Sequence, residues 1–151
     1  MDIYSKLKEL NITLPELPPR GGIYKPVKQV GNLLYVSGQG ATVKGIPEIV
    51  GKVGAERTLE EGRQAARLCA LNALSTLEDY LGDLNRIKSV VKTLGFVASA
   101  AGFNDQPKVI DGASSLYQEI WGEDGVGARS AISTNELPGN ITVEIEFIFE
   151  V

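Results

Sequence analysis

Residues 127–151, GARSAISTNELPGNITVEIEFIFEV, indicate the fold more clearly than any other stretch. They predict two β-strands joined by a turn at Pro138-Gly139. Alternation in the second strand is nearly clean, with Ile148 as the exception. Its two faces are an apolar row, Val143, Ile145, Phe147, Phe149 and Val151, and a charged row, Glu144, Glu146 and Glu150. The first strand carries one arginine, Arg129, and an arginine with a glutamate from a neighbouring strand could hold a small carboxylate and position a water.

The preceding segments predict the rest of an α+β domain. Thr58 and Glu61 form a capping box for a long helix that Gly82 ends. The elements before and after this helix are an amphipathic helix at 2–10, a hairpin of 27–30 with 33–36, a near-continuously apolar strand at 87–98, and a helix that Asp111 or Ser114 could cap and that runs to Trp121. Residues 41–57 suggest an irregular loop with room for a short strand at 49–53.

After the first helix the order is β-β-α-β-α-β-β, which predicts a mixed β-sheet with two helices packed on one face, plus the N-terminal helix. One domain over 1–151 is expected, because the chain has the length of an ordinary domain. Within it, 1–21 form the N-terminal helix and a Pro-rich arm, and 22–151 form the core.

Composition excludes several kinds of chemistry. The 151 residues carry a net charge of −4 and lack a basic stripe, which argues against nucleic acid as a partner. There is no histidine, so the Ser-His-Asp and Cys-His arrangements and the usual transition-metal ligand are absent. Neither a membrane span nor a signal peptide is evident, and the single cysteine, Cys69, suits a reducing compartment; a cytoplasmic location is therefore expected.

The candidate site residues each have a structural alternative. Arg129 can bind a carboxylate with its planar fork, or form a salt bridge with a strand glutamate. Glu144 and Glu146 can act as a general base or form a solvated strand face, and spacing does not decide which of them faces a pocket. Ser37-Gly38 can offer backbone groups to a ligand or end a strand. Tyr24 can contact a ligand or pack.

Together these residues resemble the reactive intermediate deaminase family, RidA/YjgF, also called the endoribonuclease L-PSP family. The resemblance runs from about Gly22 to the C-terminus. It is carried by Tyr24, by Gly31-Asn32 leading to Val36-Ser37-Gly38-Gln39, by the helix from Thr58, and by Ala128-Arg129-Ser130 followed by Leu137-Pro138 and Val143-Glu144-Ile145-Glu146. The N-terminal helix and arm resemble an extended branch of the family.

The resemblance implies a fold like the Bacillus chorismate mutase, assembled as a homotrimer with ligand sites between subunits. It implies an imine deaminase: a hydrolase that converts enamines and imines such as 2-aminoacrylate to 2-oxo acids and ammonia, with no cofactor and no metal. Arg129 would bind the substrate carboxylate and Glu144 would position water. Tyr24, Ser37, Gly38 and Ala131 would line the substrate-binding site, with Tyr24 reaching across the interface.

Two departures from the family keep a second function open: the regions 40–57 and 99–105, which shape the pocket, are less typical of it, and one residue near the arginine differs. The family often has cysteine two residues after the arginine, where this chain has Ala131. If that thiol contributes to catalysis, the protein would be a non-catalytic trimer that binds a small carboxylate or regulates a partner. Endoribonuclease activity, a label attached to parts of the family, is disfavoured by the acidic composition.

Overall fold

The computed structural model describes residues 2–151. Its regular elements in chain order are α1 (Ile3–Glu9), β1 (Val27–Val30), β2 (Leu33–Gly40), β3 (Thr42–Val43), β4 (Ile46–Pro47), α2 (Leu59–Leu81), β5 (Ser89–Ala98), α3 (Gln106–Trp121), β6 (Ala128–Thr134) and β7 (Val143–Glu150).

Five strands form the main sheet, in the order β1-β2-β7-β5-β6. β5 and β6 are parallel, and the other neighbouring pairs are antiparallel. The mixed sheet with helices confirms the predicted α+β class. The two closing strands are separated in space by β5, because each pairs with β5 and not with the other.

Helices α2 and α3 cover one face of the sheet and enclose the core. α2 has the predicted capping box between Thr58 and Glu61, and Gly82 ends it in the left-handed conformation, so both predictions are confirmed. Buried alanines let α2 lie close to the strands. Across the core, the Tyr117 ring of α3 packs edge-on against Phe147, with the ring centroids 5.2 Å apart.

The opposite face of the sheet has no layer over it within residues 2–151. We call it the open face, formed by Tyr35, Leu94, Phe96, Ile132, Glu146 and Ile148. Tyr35 is 45% exposed and Ile132 is 46% exposed. The prediction that the 87–98 strand is buried on both faces is therefore wrong for the single chain. Leu94 and Phe96 stay partly exposed because both helices pack on the other side.

Three predicted boundaries are corrected. α3 begins at Gln106 and not at Asp111 or Ser114, because Pro107 fits the first turn of a helix, where no backbone N–H is required. β2 does not stop at Val36 but continues to Gly40, with a bulge between Val36 and Gln39. Part of the expected loop at 41–57 forms the small β3–β4 ribbon.

Searched over residues 2–151, the chain has no helix of the length and apolar character that would carry it through a bilayer. Over the same residues, no three His, Cys, Asp or Glu side chains are grouped closely enough to hold a metal ion.

Candidate functional site

A cleft of about 380 Å³ opens where β7 begins and β2 ends. The Pro-rich arm closes one side of it, and the loop after β6 closes another. We call it the Glu144 cleft; its lining includes Arg20, Tyr24, Gly38, Gln39, Pro138 and Glu144. Two residues that sequence analysis assigned to substrate binding, Tyr24 and Gly38, therefore lie in one cleft with the candidate catalytic glutamate.

Gly38 makes room for the Glu144 side chain. A Cβ atom at position 38 would lie 2.6 Å from Glu144 Oε2, far inside van der Waals contact. Gly38 has no positive φ, so any residue could adopt its backbone conformation. The requirement for glycine is steric, because the carboxylate occupies the volume that a side chain would need.

The charge on Glu144 is unfavourable in its surroundings. Burial raises the pKa of the Glu144 carboxyl above its usual value, and the negative charge of Glu146 on the same side of β7 raises it further. Among residues 2–151 no hydrogen-bond donor lowers the pKa of this carboxyl. A half-buried carboxylate with a raised pKa and open acceptor positions can take a proton from water and return it.

The arm contributes Tyr24 and Arg20 to the same cleft. Tyr24 is 43% exposed, and its hydroxyl oxygen accepts a hydrogen bond from the Gly21 N–H at 3.0 Å. The tyrosine hydrogen therefore remains able to donate to a ligand. Arg20 Nη1 donates to the Tyr24 carbonyl at 3.1 Å, which connects the two residues.

Arg129 lies outside this cleft, in a hollow between β6 and α3. Its Nη1 donates to Asp111 Oδ1 at 2.6 Å and to Ser114 Oγ at 3.2 Å, and the side chain is 26% exposed. The alternative considered from sequence was a salt bridge with a strand glutamate. Arg129 does form a salt bridge, but the partner is on helix α3. Over residues 2–151, both hydrogen bonds leave from Nη1, so Nε and Nη2 can still present a two-point edge to a carboxylate.

Arg129 and Glu144 project from opposite faces of the sheet. Arg129 pairs with Thr93, which pairs with Phe147, and Phe147 faces the helices. Glu144 pairs with Phe96, on the open face. Paired residues on neighbouring strands share a face, and successive residues along one strand point to opposite faces. One chain therefore does not bring both candidate catalytic residues to one ligand, and a site that uses both needs two copies of the chain.

The remaining predicted residues lie in two different places. Ser37 Oγ donates to the Lys25 carbonyl at 2.7 Å and lines a hollow of about 400 Å³ on the open face, beside Glu146. Ala131 follows Arg129 on the helix side of β6. Of the two glutamates that spacing left open, Glu144 faces the cleft with Gly38, and Glu146 faces the hollow with Ser37.

Two neighbours of these residues were not identified from sequence. Arg20 was included only in the description of the arm, although a cation four residues before Tyr24 in a Pro-Gly segment could have indicated it. Asp111 was assigned to a helix cap, and its ion pair with Arg129 depends on a contact between distant elements that spacing does not reveal.

Comparison with known proteins places this arrangement in a wider group. A family model described as "YjgF/chorismate mutase-like, putative endoribonuclease" matches residues 4–150. Protein TCP17 of Trypanosoma cruzi is 37% identical over an alignment of 156 positions, gaps included, that covers 99% of this chain and 94% of that protein. A 2-iminobutanoate/2-iminopropanoate deaminase of Dermatophagoides farinae is 30% identical over 138 residues, covering 91% of this chain and 92% of that protein.

Two solved structures resemble the whole chain. The protein Atu1372 from Agrobacterium tumefaciens, of unknown function, is 43% identical, covers 99% of this chain and 93% of its own, and superposes with a TM-score of 0.89. A protein of Shewanella oneidensis described as a "putative endoribonuclease" is 33% identical, covers 100% of both chains and superposes with a TM-score of 0.95. Both matches include the N-terminal helix and arm.

Proposed function

The chain belongs to the YjgF/chorismate mutase-like family, and from this premise we propose that it hydrolyses reactive enamines and imines to 2-oxo acids and ammonia. We place this activity in a cytoplasmic homotrimer that uses neither a metal nor an organic cofactor. The observation that carries the proposal is Glu144, a half-buried carboxylate with a raised pKa in a cleft with Tyr24 and Gly38. The name of the Dermatophagoides relative agrees with this chemistry.

The reaction needs little more than a positioned water. The water oxygen bonds to C2 of the imine while Glu144 accepts a water proton, and the electron pair of the C=N bond moves to nitrogen. Glu144 returns the proton to that nitrogen, which gives a carbinolamine. The carboxylate then takes the proton of the new hydroxyl group and passes it to the same nitrogen, so that the C–N bond breaks as the C=O bond forms and ammonia leaves. A carboxylate with a raised pKa suits both transfers, because a base works best when its pKa lies near the working pH. The remaining rate acceleration comes from holding the water and the imine in the correct relative orientation.

Arg129 of a neighbouring subunit would bind the carboxylate of the imino acid. Its Nε and Nη2 match the two oxygens of a planar carboxylate. Because Arg129 and Glu144 project from opposite faces of one chain, this role requires an assembly. The uncovered open face supports such an assembly, since partly exposed Tyr35, Phe96 and Ile132 would be buried against another copy.

The direct test measures ammonia and 2-oxo acid released from 2-iminobutanoate and 2-iminopropanoate generated in situ. Wild-type protein should accelerate release over the spontaneous reaction, whereas Glu144→Gln and Arg129→Ala should not. Thr13→Ala provides the control, because Thr13 is exposed and lies outside the Glu144 cleft. A wild-type rate from Arg129→Ala would refute the role of the arginine.

A non-catalytic carboxylate-binding trimer is the second candidate. It is favoured by the ion pair of Arg129 with Asp111 and by Ala131, where the family often has cysteine. Saturable binding of 2-oxo acids with no turnover on any imine would support it. RNA cleavage, which the names of some relatives suggest, is opposed by the net charge of −4.

A further inference from the structure

Arg20 is a cation at the Glu144 cleft that the deaminase reaction itself does not require. The arm positions it, since Pro18 and Pro19 precede it and both line the cleft beside it. Its guanidinium makes one hydrogen bond among residues 2–151, from Nη1 to the Tyr24 carbonyl. This bond orients the group and leaves Nε and Nη2 able to donate.

Among residues 2–151, Arg20 has no acidic partner. The nearest acidic residue in the arm, Glu16, pairs instead with Lys44 at 3.4 Å. Glu144 does not serve as the counter-ion either. The hydrogen bond that the Arg20 side chain makes within residues 2–151 goes to the Tyr24 carbonyl and not to a Glu144 oxygen. The cleft therefore has a positive group and a proton-exchanging carboxylate that do not neutralise each other.

We propose that Arg20 binds a second acidic group of the ligand, so that the cleft selects 2-imino and 2-oxo acids with a distal carboxylate. This inference rests on the proposed function, in which Arg129 of another subunit holds the carboxylate next to the reacting carbon. With that carboxylate already bound, Arg20 is a surplus cation within the same cleft. An anion placed there gains a charge-assisted hydrogen bond. A ligand that ends in a methyl group would leave the cation unpaired.

A purely structural role for Arg20 predicts a different result. If the side chain only fastens the arm through the Tyr24 carbonyl, its removal would disturb Tyr24 and weaken every ligand alike. The specificity role weakens only those ligands that carry the distal carboxylate. Two ligands that differ at that group alone therefore separate the two roles.

The experiment measures calorimetric Kd values for 2-oxoglutarate and 2-oxopentanoate, which have the same five-carbon chain and differ in the distal carboxylate. The variants are Arg20→Gln, Arg20→Lys and Lys88→Gln. Lys88 is a matched control: it is an exposed cation that lies beside Glu150, at the opposite end of β7 from Glu144. Because these are stable products and not substrates, binding is read without turnover.

Wild-type protein should bind 2-oxoglutarate more tightly than 2-oxopentanoate. Arg20→Gln should weaken 2-oxoglutarate about fivefold, the scale of a solvent-exposed ion pair, and leave 2-oxopentanoate unchanged. Arg20→Lys should retain part of the preference, and Lys88→Gln all of it. Equal weakening of both ligands, no preference in the wild type, or binding of neither ligand would each overturn the inference. If the protein prefers 2-oxoglutarate but hydrolyses no imine, the role of Arg20 in ligand selection stands and the proposed deaminase activity is refuted.

Discussion

The Glu144 carboxylate occupies the volume beside Gly38 in which any other residue would place its Cβ. We predict that Gly38→Ala displaces this carboxylate and lowers kcat/KM at least about tenfold, because catalytic groups tolerate little misplacement. Steady-state ammonia release measures the loss. The fold should persist, since the new atom meets a side chain and not backbone.

Gly22→Ala is the matched control for this substitution. The added methyl group would meet only the Tyr24 ring, at ordinary contact distances of 3.5 and 3.6 Å. Activity should therefore fall much less than in Gly38→Ala. Equal losses in the two variants would mean that the position of the Glu144 carboxylate does not control the rate.

Arg129 offers a test that separates its ion pair from ligand binding. Arg129→Ala and Asp111→Asn both break the salt bridge, so each should lower the free energy of unfolding by a similar amount, about 1 kcal/mol or less. Only Arg129→Ala removes the fork for the substrate carboxylate. Its kcat/KM should fall by orders of magnitude more than that of Asp111→Asn. Urea unfolding and steady-state kinetics would be measured on the same preparations. If Arg129 has only a structural role, the two variants should lose kcat/KM to the same extent.

The activity should depend on the protonation of Glu144. As a base it must be ionised, so kcat/KM should rise with pH through the pKa of Glu144, which burial and the charge of Glu146 raise from its usual value. Glu146→Gln removes the neighbouring negative charge, so the rise of kcat/KM should occur at lower pH in this variant. Protonation of the imine substrate also depends on pH, but it affects the wild type and Glu146→Gln equally. The difference between the two pH profiles therefore reports on the protein. If the rise occurs at the same pH in both proteins, Glu144 is not the group whose titration controls the rate.

The same pKa shift has a consequence for stability. The folded-state pKa of Glu144 is raised, so folding favours the protonated carboxyl. The stability that this adds is fully present below the unfolded-state pKa and is lost as pH rises through the folded-state pKa. Glu144→Gln should therefore raise Tm at pH 7 and leave it unchanged near pH 3.5. Thermal unfolding at the two pH values checks the sign, and an equal Tm gain at both would contradict it.

A site shared between subunits predicts complementation. Arg129→Ala and Glu144→Gln should each be inactive alone. When the two are unfolded together in equal amounts and refolded, random assembly places a native arginine beside a native glutamate in about a quarter of the sites. Roughly a quarter of wild-type activity should return. No recovery in mixed trimers, verified by mass spectrometry, would mean that both residues act from one chain.

How far the sequence predicts this molecule depends on whether a feature is local. The α2 helix could be assigned from its capping box and its terminal glycine, because both signals lie within the element. The hairpin of β1 and β2 was likewise local. The start of α3 differs from the prediction because Asp111 and Ser114 have side chains that suit a helix cap, whereas the helix begins earlier, at Gln106, with Pro107 in its first turn.

The site was predictable in composition but not in arrangement. Residue pattern and family resemblance singled out Arg129, Glu144, Tyr24 and Gly38. Arg129 and Glu144 project from opposite faces because of the register in which β6 and β7 each pair with β5, and spacing along the chain does not reveal that register. The Arg129–Asp111 ion pair depends on the packing of α3 on the sheet in the same way. Neither relationship is encoded within a single segment.

The crossing of α2 and α3 at Gly112 has a consequence for how substitutions in this chain should be interpreted. A Cβ atom at position 112 would overlap the carbonyl oxygen of Arg63, so any side chain there would push the two helices apart. The adjacent residue, Asp111, holds Arg129. A substitution at Gly112 would therefore register in an assay as a defect in ligand recognition, although Gly112 does not line the Glu144 cleft, and genetic screens for the binding site should return this glycine among their hits.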